Sequence, residues 1–303
     1  MAAAGCSSPA SSLLLARPFA GQETAVEPLA RLAGSAIAPR KLAYACASVF
    51  GTSFAGACDV YDTRGNLQTE LPQSEVRLPF LTVLSGRYWY IPDLLYQKVL
   101  IMTQGRSPRL VRSLATPTYP ADVAVHRRND TIESVAVSEY IGRVDVYEQR
   151  ASSPTYTLPA PTLKGNLRGA GIAFDSHGDC AWSYEGPSSG HVLFYQNCKG
   201  QYKDLGITVR AGGILFDEHD NLIVVDQSKG VLFCTGTTNC KLAVRNSAAG
   251  LLGVGLGANG TALWAAGNFD SVIYEYAYPS GTLEFSFRWT GSPYLSPIGV
   301  AAT

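Results

Sequence analysis

One short pattern recurs six times along this chain of 303 residues, and it limits the possible folds more than any other feature. Each copy has a small residue or Gly, a β-branched residue, a turn carrying Asp, Asn or Gly, and an apolar run. A second turn then leads to a strand of the form Val-x-apolar. The clearest copy runs Gly213-Ile214-Leu215-Phe216-Asp217, then His219-Asp220-Asn221-Leu222-Ile223-Val224-Val225-Asp226, then Gly230-Val231-Leu232-Phe233. The first residue of that last strand serves as an anchor. It falls at Cys58, Val99, Val144, Val192, Val231 and Val272, at intervals of 41, 45, 48, 39 and 41 residues. Four short strands take about 40 to 45 residues, and radial repetition lets such sheets bury their faces without long open edges. The spacing predicts an all-β fold, a six-bladed β-propeller, over residues 42–303. Pro297-Ile298-Gly299-Val300-Ala301 matches the innermost strand of the other repeats, whereas the first repeat, from Leu42, lacks one. The C-terminal strand is therefore expected to close the N-terminal blade.

Charge and composition remove several function classes. Twenty-four Lys and Arg balance twenty-four Asp and Glu, so no basic field is available for nucleic acid or an anionic membrane surface. With 46% hydrophobic and only 16% charged residues, the chain is neither disordered nor a coiled coil. No stretch of eighteen apolar residues is present to span a bilayer as a helix. A monomer is expected.

Residues 1–41 are rich in Ala, Ser and Pro without sustained periodicity, and read as a leader or tether. Within them Ala3-Ala4-Gly5-Cys6, followed by Ser7-Ser8-Pro9, resembles the cleavage and lipidation site of bacterial lipoproteins, which makes Cys6 the lipidation candidate. Such a signal also needs a basic start and an apolar run before the Cys, and five residues precede Cys6. Membrane association is expected only through such an anchor. The other six Cys are disulfide candidates. Cys234 and Cys240 flank one turn, Cys180 and Cys198 flank two apolar runs joined by a turn, and Cys46 and Cys58 are placed less cleanly. None of these spacings suits zinc. An even count in hairpin positions favours an oxidising, extracytoplasmic compartment, with buried free thiols as the alternative.

Gly213-Ile214, Asp217, Asn221-Leu222-Ile223-Val224-Val225-Asp226 and Val231-Leu232-Phe233 resemble the NHL-type repeat of six-bladed β-propellers. Together with the Gly-Cys-Ser-Ser leader, the chain is similar to bacterial extracytoplasmic propeller lipoproteins. The resemblance spans about residues 42–303 and implies the fold while saying little about activity. The first two copies depart from it: Cys58 replaces the Val anchor, and Pro92 is expected to interrupt the second blade.

Motifs that suggest chemistry fail on context. Gly186-Pro187-Ser188-Ser189-Gly190 has the form of a nucleophile elbow but joins two strands rather than a strand and a helix. Gly255-Leu256-Gly257-Ala258-Asn259-Gly260 has the form of a dinucleotide loop with no helix after it. Asn129 and Asn259 open glycosylation-like triplets at the repeat's first turn, where Asn suits positive φ. His126, His177, His191 and His219 form no evident cluster, and Trp89, Trp182 and Trp264 fall on second strands where large rings pack between blades.

The remaining candidates are Asp93, Glu139, Glu185, Asp226 and Asn268, one at the end of each of five second strands. In a propeller they share one face, near the loops of the mouth, where they can bind a polar ligand or a cation. A residue type repeated in nearly every blade also suits a turn cap. The inner-strand pattern, as in Gly169-Ala170-Gly171-Ile172-Ala173, offers few titratable groups for catalysis. The expected function is therefore a non-catalytic exported scaffold presenting loops to a protein, peptide or glycan, without a cofactor. The alternative is a metal-dependent hydrolase or lyase of the lactonase type, which would bring in Ca²⁺.

Overall fold

An uninterrupted apolar run such as Leu222 to Val225 needs cover on both faces, which an isolated sheet cannot give it. The computed structural model supplies that cover by packing sheets around a ring. It describes residues 42–49, 55–62, 64–71, 74–149, 151–162, 167–290 and 295–303. The expected leader over 1–41, with Cys6, lies outside the described residues.

The strands follow the repeat. They are β1 (Leu42–Val49), β2 (Ala55–Asp62) and β3 (Leu67–Leu71). Next come β4 (Val83–Ser85), β5 (Tyr88–Asp93), β6 (Lys98–Thr103) and β7 (Leu110–Ala115). The third repeat gives β8 (Pro120–Arg128), β9 (Thr131–Glu139), β10 (Arg143–Glu148) and β11 (Tyr156–Leu158). The fourth gives β12 (Arg168–Phe174), β13 (Cys180–Glu185), β14 (Gly190–Tyr195) and β15 (Tyr202–Val209). The fifth gives β16 (Ala211–Phe216), β17 (Leu222–Asp226), β18 (Gly230–Thr235) and β19 (Thr238–Arg245). The last gives β20 (Leu251–Leu256), β21 (Ala262–Gly267), β22 (Val272–Ala277) and β23 (Thr282–Arg288), before β24 (Ser296–Ala302) ends the chain. They form six antiparallel four-stranded sheets, here called blades 1 to 6, and all six anchors fall on the third strand of a blade. Among the described residues no helix is long and apolar enough to cross a membrane.

Blade 1 has the order β24-β1-β2-β3, so the chain's last strand is its innermost one. Val300 pairs with Ala45 and Ala43 with Ala302. Beyond the ladder, the Leu42 N–H donates to Thr303 Oγ1 (2.8 Å) and the Thr303 N–H to the Leu42 carbonyl (3.0 Å). The turn that joins first and second strands covalently in the other blades is here replaced by these contacts between opposite ends of the fold.

Side-chain alternation divides the core into inter-blade layers. On β1, Ala43, Ala45 and Ala47 pack towards blade 6 with Trp264 and Ile273, while Leu42, Tyr44 and Cys46 pack towards blade 2 with Trp89 and Leu100. On β17, Leu222 and Val224 face blade 4, and Ile223 and Val225 face blade 6. Trp89, Trp182 and Trp264 are all buried in these layers.

The inner strands meet backbone to backbone. A Cβ on Gly171 would lie 2.5 Å from the Ile214 nitrogen, and one on Gly299 would lie 2.6 Å from the Phe80 carbonyl oxygen. At Gly253 it would collide with the carbonyl of Ile298. Only glycine allows this approach. Blades 2 and 3 are joined by the Leu81 N–H to the Ala121 carbonyl (3.0 Å). At the mouth end, Leu78, Phe80, Leu81, Leu94, Ala121, Leu252 and Ile298 form a buried apolar cluster, a plug contributed by blades 1, 2, 3 and 6.

Disulfides join Cys46 to Cys58, Cys180 to Cys198, and Cys234 to Cys240. Three disulfides point to an oxidising environment. Two expectations are corrected. Pro92 does not interrupt blade 2 but pairs with Val99 inside β5. Its carbonyl accepts from the Phe80 N–H (3.0 Å), so its nitrogen faces the same side, where β4 has not yet begun and no ladder bond is lost. Asn129 takes positive φ (47°), but at the other turn Gly260 does so (65°), while Asn259 Oδ1 accepts from the Thr261 N–H (3.3 Å).

Candidate functional site

The turn between second and third strands recurs on one face of the ring, together with the links from each blade to the next. This is the mouth side, and all five candidate residues lie on it.

Asp93 is fully buried at the end of β5. Its carboxylate accepts from the N–H groups of Arg77 (2.7 Å), Leu78 (3.3 Å), Leu95 (3.1 Å) and Tyr96 (3.1 Å), tying the turn after β5 to the link entering blade 2. Burial raises its pKa against those bonds. Asp226, also fully buried, accepts from the Ser228 N–H (2.9 Å) and hydroxyl (2.6 Å) and pairs with Lys229 Nζ (2.9 Å). Burial pushes its pKa up, but the Ser228 hydroxyl and the Lys229 ammonium outweigh this and hold it below the usual carboxylate range. Glu185 is half-buried and accepts from the Ala211 N–H (3.2 Å). Asn268 lies in the turn after β21, where its own N–H donates to the Gly250 carbonyl (3.4 Å). Three of these carboxylates thus bind the N–H groups at which blades begin or turn.

Glu139 differs from them. It is fully buried at the end of β9, with the Thr118 hydroxyl donating to Oε2, while Oε1 has no hydrogen-bond partner. Burial pushes its carboxyl up to about 7, opposed by Thr118 and Arg143 and reinforced by Asp145. A carboxyl titrating higher in the folded state binds its proton more tightly there than in the unfolded chain. Stability is then fullest below the ordinary glutamate range and is lost as pH rises through about 7. Glu139→Gln should therefore melt above the parent at about pH 8 and match it near pH 4, as differential scanning calorimetry across pH will read.

The alternative chemistry needs carboxylates and amides converging on a divalent ion in the channel. Asp93 and Asp226 are engaged by N–H groups of their own turns, and Glu185 by the Ala211 N–H at the start of the next blade. Among the described residues, the one group of three or more His, Cys, Asp or Glu with ligand atoms within 4.8 Å of one another is Asp175, His177 and Asp220. It lies on the opposite face, in the first turns of blades 4 and 5, where Asp220 already accepts from the Ser176 N–H and hydroxyl (both 2.7 Å).

Asp122 is the buried carboxylate that the repeat pattern concealed. It stands on the inner strand β8 at the position that Gly171, Gly213, Gly253 and Gly299 occupy in four other blades. Its Oδ1 accepts from the Val123 N–H (2.8 Å) and its Oδ2 from the Ile172 N–H (2.9 Å), so the carboxyl links blades 3 and 4 where glycine elsewhere allows direct contact. Burial pushes it up to about 8 against those two bonds. Aligning Asp122-Val123 with Gly171-Ile172 is the signal that reveals it.

The sequence reading also missed what the mouth side displays. Leu95 and Tyr96 after β5, Ile141 after β9 and Phe269 after β21 are exposed by 38%, 38%, 50% and 62%. All four lie in turns between second and third strands. Below them the apolar plug is joined by Tyr119 and Tyr140. These apolar side chains share the mouth side with the five candidate residues.

Solved structures resemble the fold. One chain of a nidogen/laminin complex superposes with a TM-score of 0.63 at 12% identity, over 86% of this chain and 97% of that one. A chain of the Kuenenia stuttgartiensis hydrazine synthase does so with a TM-score of 0.51 at 10% identity, over 73% and 70%. No family model matches the sequence, and no curated protein does. At these identities the likeness is one of fold, and the six-bladed β-propeller is what it supports.

Proposed function

We propose that this chain is an exported, non-catalytic binding module whose mouth side engages a protein or peptide. The observation that carries this reading is the exposure of Leu95, Tyr96, Ile141 and Phe269 on the same face, over a buried apolar plug. Leu67, Leu110, Val111 and Leu283 are exposed as well, but on the outermost strands β3, β7 and β23, whereas Leu95, Tyr96, Ile141 and Phe269 stand in turns that a partner approaching the mouth side meets first. Leu95 and Ile141 have no ring to stack on a sugar, which favours a peptide over a glycan. Export is supported by the three disulfides. The Ala3-Ala4-Gly5-Cys6 motif supports a lipid anchor, and the NHL-like repeat agrees with the blades.

The test is selection of a randomised peptide display library on the folded protein, with the selected peptides remeasured by fluorescence anisotropy. Binding should fall at least about tenfold in the variant carrying Tyr96→Ser and Ile141→Ser, because apolar anchors dominate such interfaces. It should be unchanged by Leu110→Ser, an exposed apolar residue on the outer strand β7. Peptides bound equally by parent and mouth variant would contradict the reading, as would failure to select any peptide.

A further inference from the structure

Overall neutrality conceals a local separation of charge. On the mouth side of blades 4 to 6 the carboxylates are turned to structural use. Asp226 is buried against Ser228 and Lys229, Glu185 holds the Ala211 N–H, and Asp270 accepts from the Val272 N–H (3.1 Å) and from the Tyr274 hydroxyl. The neighbouring cations Arg210, Lys229, Arg245 and Arg288 are exposed. Among the described residues only Lys229 of these four forms an ion pair.

Two of these cations line a groove of about 360 Å³, together with Ser228, Leu242, Asn246 and Ser247. No carboxylate belongs to its lining. The lining ends at Ala248, two residues before Gly250, which the ring of Phe269 approaches. That ring lies over Gly250, whose missing Cβ leaves room for it. The Phe269 N–H donates to the Ala249 carbonyl (2.8 Å), which fixes the turn that carries the ring to the link entering blade 6. Phe269 is nevertheless 62% exposed.

A groove lined by the unpaired Arg245 and by Lys229, with the solvent-facing ring of Phe269 close along the chain, has a definite chemical complement. We propose that blades 5 and 6 form a binding site for an acidic peptide segment, in which an Asp or Glu side chain meets Arg245 and Lys229 and an adjacent apolar or aromatic side chain packs on Phe269. Arg245 supplies the planar fork that grips a carboxylate through two hydrogen bonds. The buried Asp226 holds Lys229 in place, and Arg245 is the groove's unpaired cation among the described residues. This inference rests on the mouth side being the binding face, and adds to it the chemistry and position of the partner.

The experiment uses the same displayed library and the full chain. Selected peptides should be enriched in Asp or Glu next to Phe, Tyr, Trp or Leu. Resynthesised with a fluorescent label, they should bind about tenfold more weakly to Arg245→Glu and to Phe269→Ser, and more weakly as salt rises. Lys203→Glu makes the same change in net charge at an exposed position on the outer strand β15, and should leave binding unaltered. Uncharged or basic peptides, or acidic peptides that respond alike to Arg245→Glu and Lys203→Glu, would overturn the proposal. So would heparin binding that depends on Arg245 when acidic peptides do not bind. Peptides lost with Tyr96→Ser and Ile141→Ser but retained by Arg245→Glu and Phe269→Ser would remove this site and leave the mouth-side reading standing.

Discussion

Deleting Ser296–Thr303 should abolish cooperative folding. The eight residues remove β24, which buries Ile298, Val300, Ala301 and Ala302 and pairs with β1 over most of its length. Burial of one Ile or Val side chain contributes about 1.5 to 3 kcal/mol, and a domain is stable by only about 5 to 15 kcal/mol in total. The deletion also exposes the edge of β1 and strips one side from Ala43, Ala45 and Ala47, which pack between blades 6 and 1. An open apolar edge of that kind pairs with other chains. Expression of the truncated chain should give aggregate, or soluble material with no sigmoidal thermal transition by circular dichroism. A truncated protein melting within a few degrees of the full chain would show that the ring does not depend on this strand.

The second large effect is expected from a single methyl group. Gly253→Ala places a Cβ against the Ile298 carbonyl, a backbone atom rather than the far end of a flexible side chain, so neither partner has a flexible end to move. The loss should be about 3 kcal/mol, at the upper end for overpacking. Gly257→Ala is the matched control. Its Cβ would have nothing nearer than 3.6 Å, and the change should stay within about 1 kcal/mol. Urea unfolding of the two variants side by side reads the difference. Equal midpoints would mean that the inner strands are not in backbone contact.

The blades were legible in the sequence because each one repeats the same constraints. A strand buried on both faces must be continuously apolar, and the turn after it needs residues such as Asp or Gly, so Leu222 to Asp226 announces itself. The closing strand was legible for the same reason, since Pro297 to Ala301 repeats an inner strand that the first blade lacks. Pro92 misled, because whether a missing N–H breaks a ladder depends on which neighbour it faces, and β4 is too short to reach it. The candidate site was legible only in position. Asp93, Glu139, Glu185 and Asp226 were placed on the correct face, but sequence spacing does not show whether a side chain turns outward to a ligand or inward to the backbone. Phe269 and Arg245 escaped notice because they follow no repeat, and features that differ from blade to blade are where a repeat protein acquires its own specificity.

The central claim is that Asp93, Glu139 and Asp226 on the mouth side belong to the fold, while Arg245 and Phe269 belong to the surface. Carbodiimide labelling of the native protein, read residue by residue by mass spectrometry, tests it most directly. Asp93, Glu139 and Asp226 should stay unmodified until the protein unfolds, while the exposed carboxylates Glu75 and Glu218 react readily. Labelling of Asp93, Glu139 and Asp226 at the rate of Glu75 would contradict the account and reopen an acidic mouth.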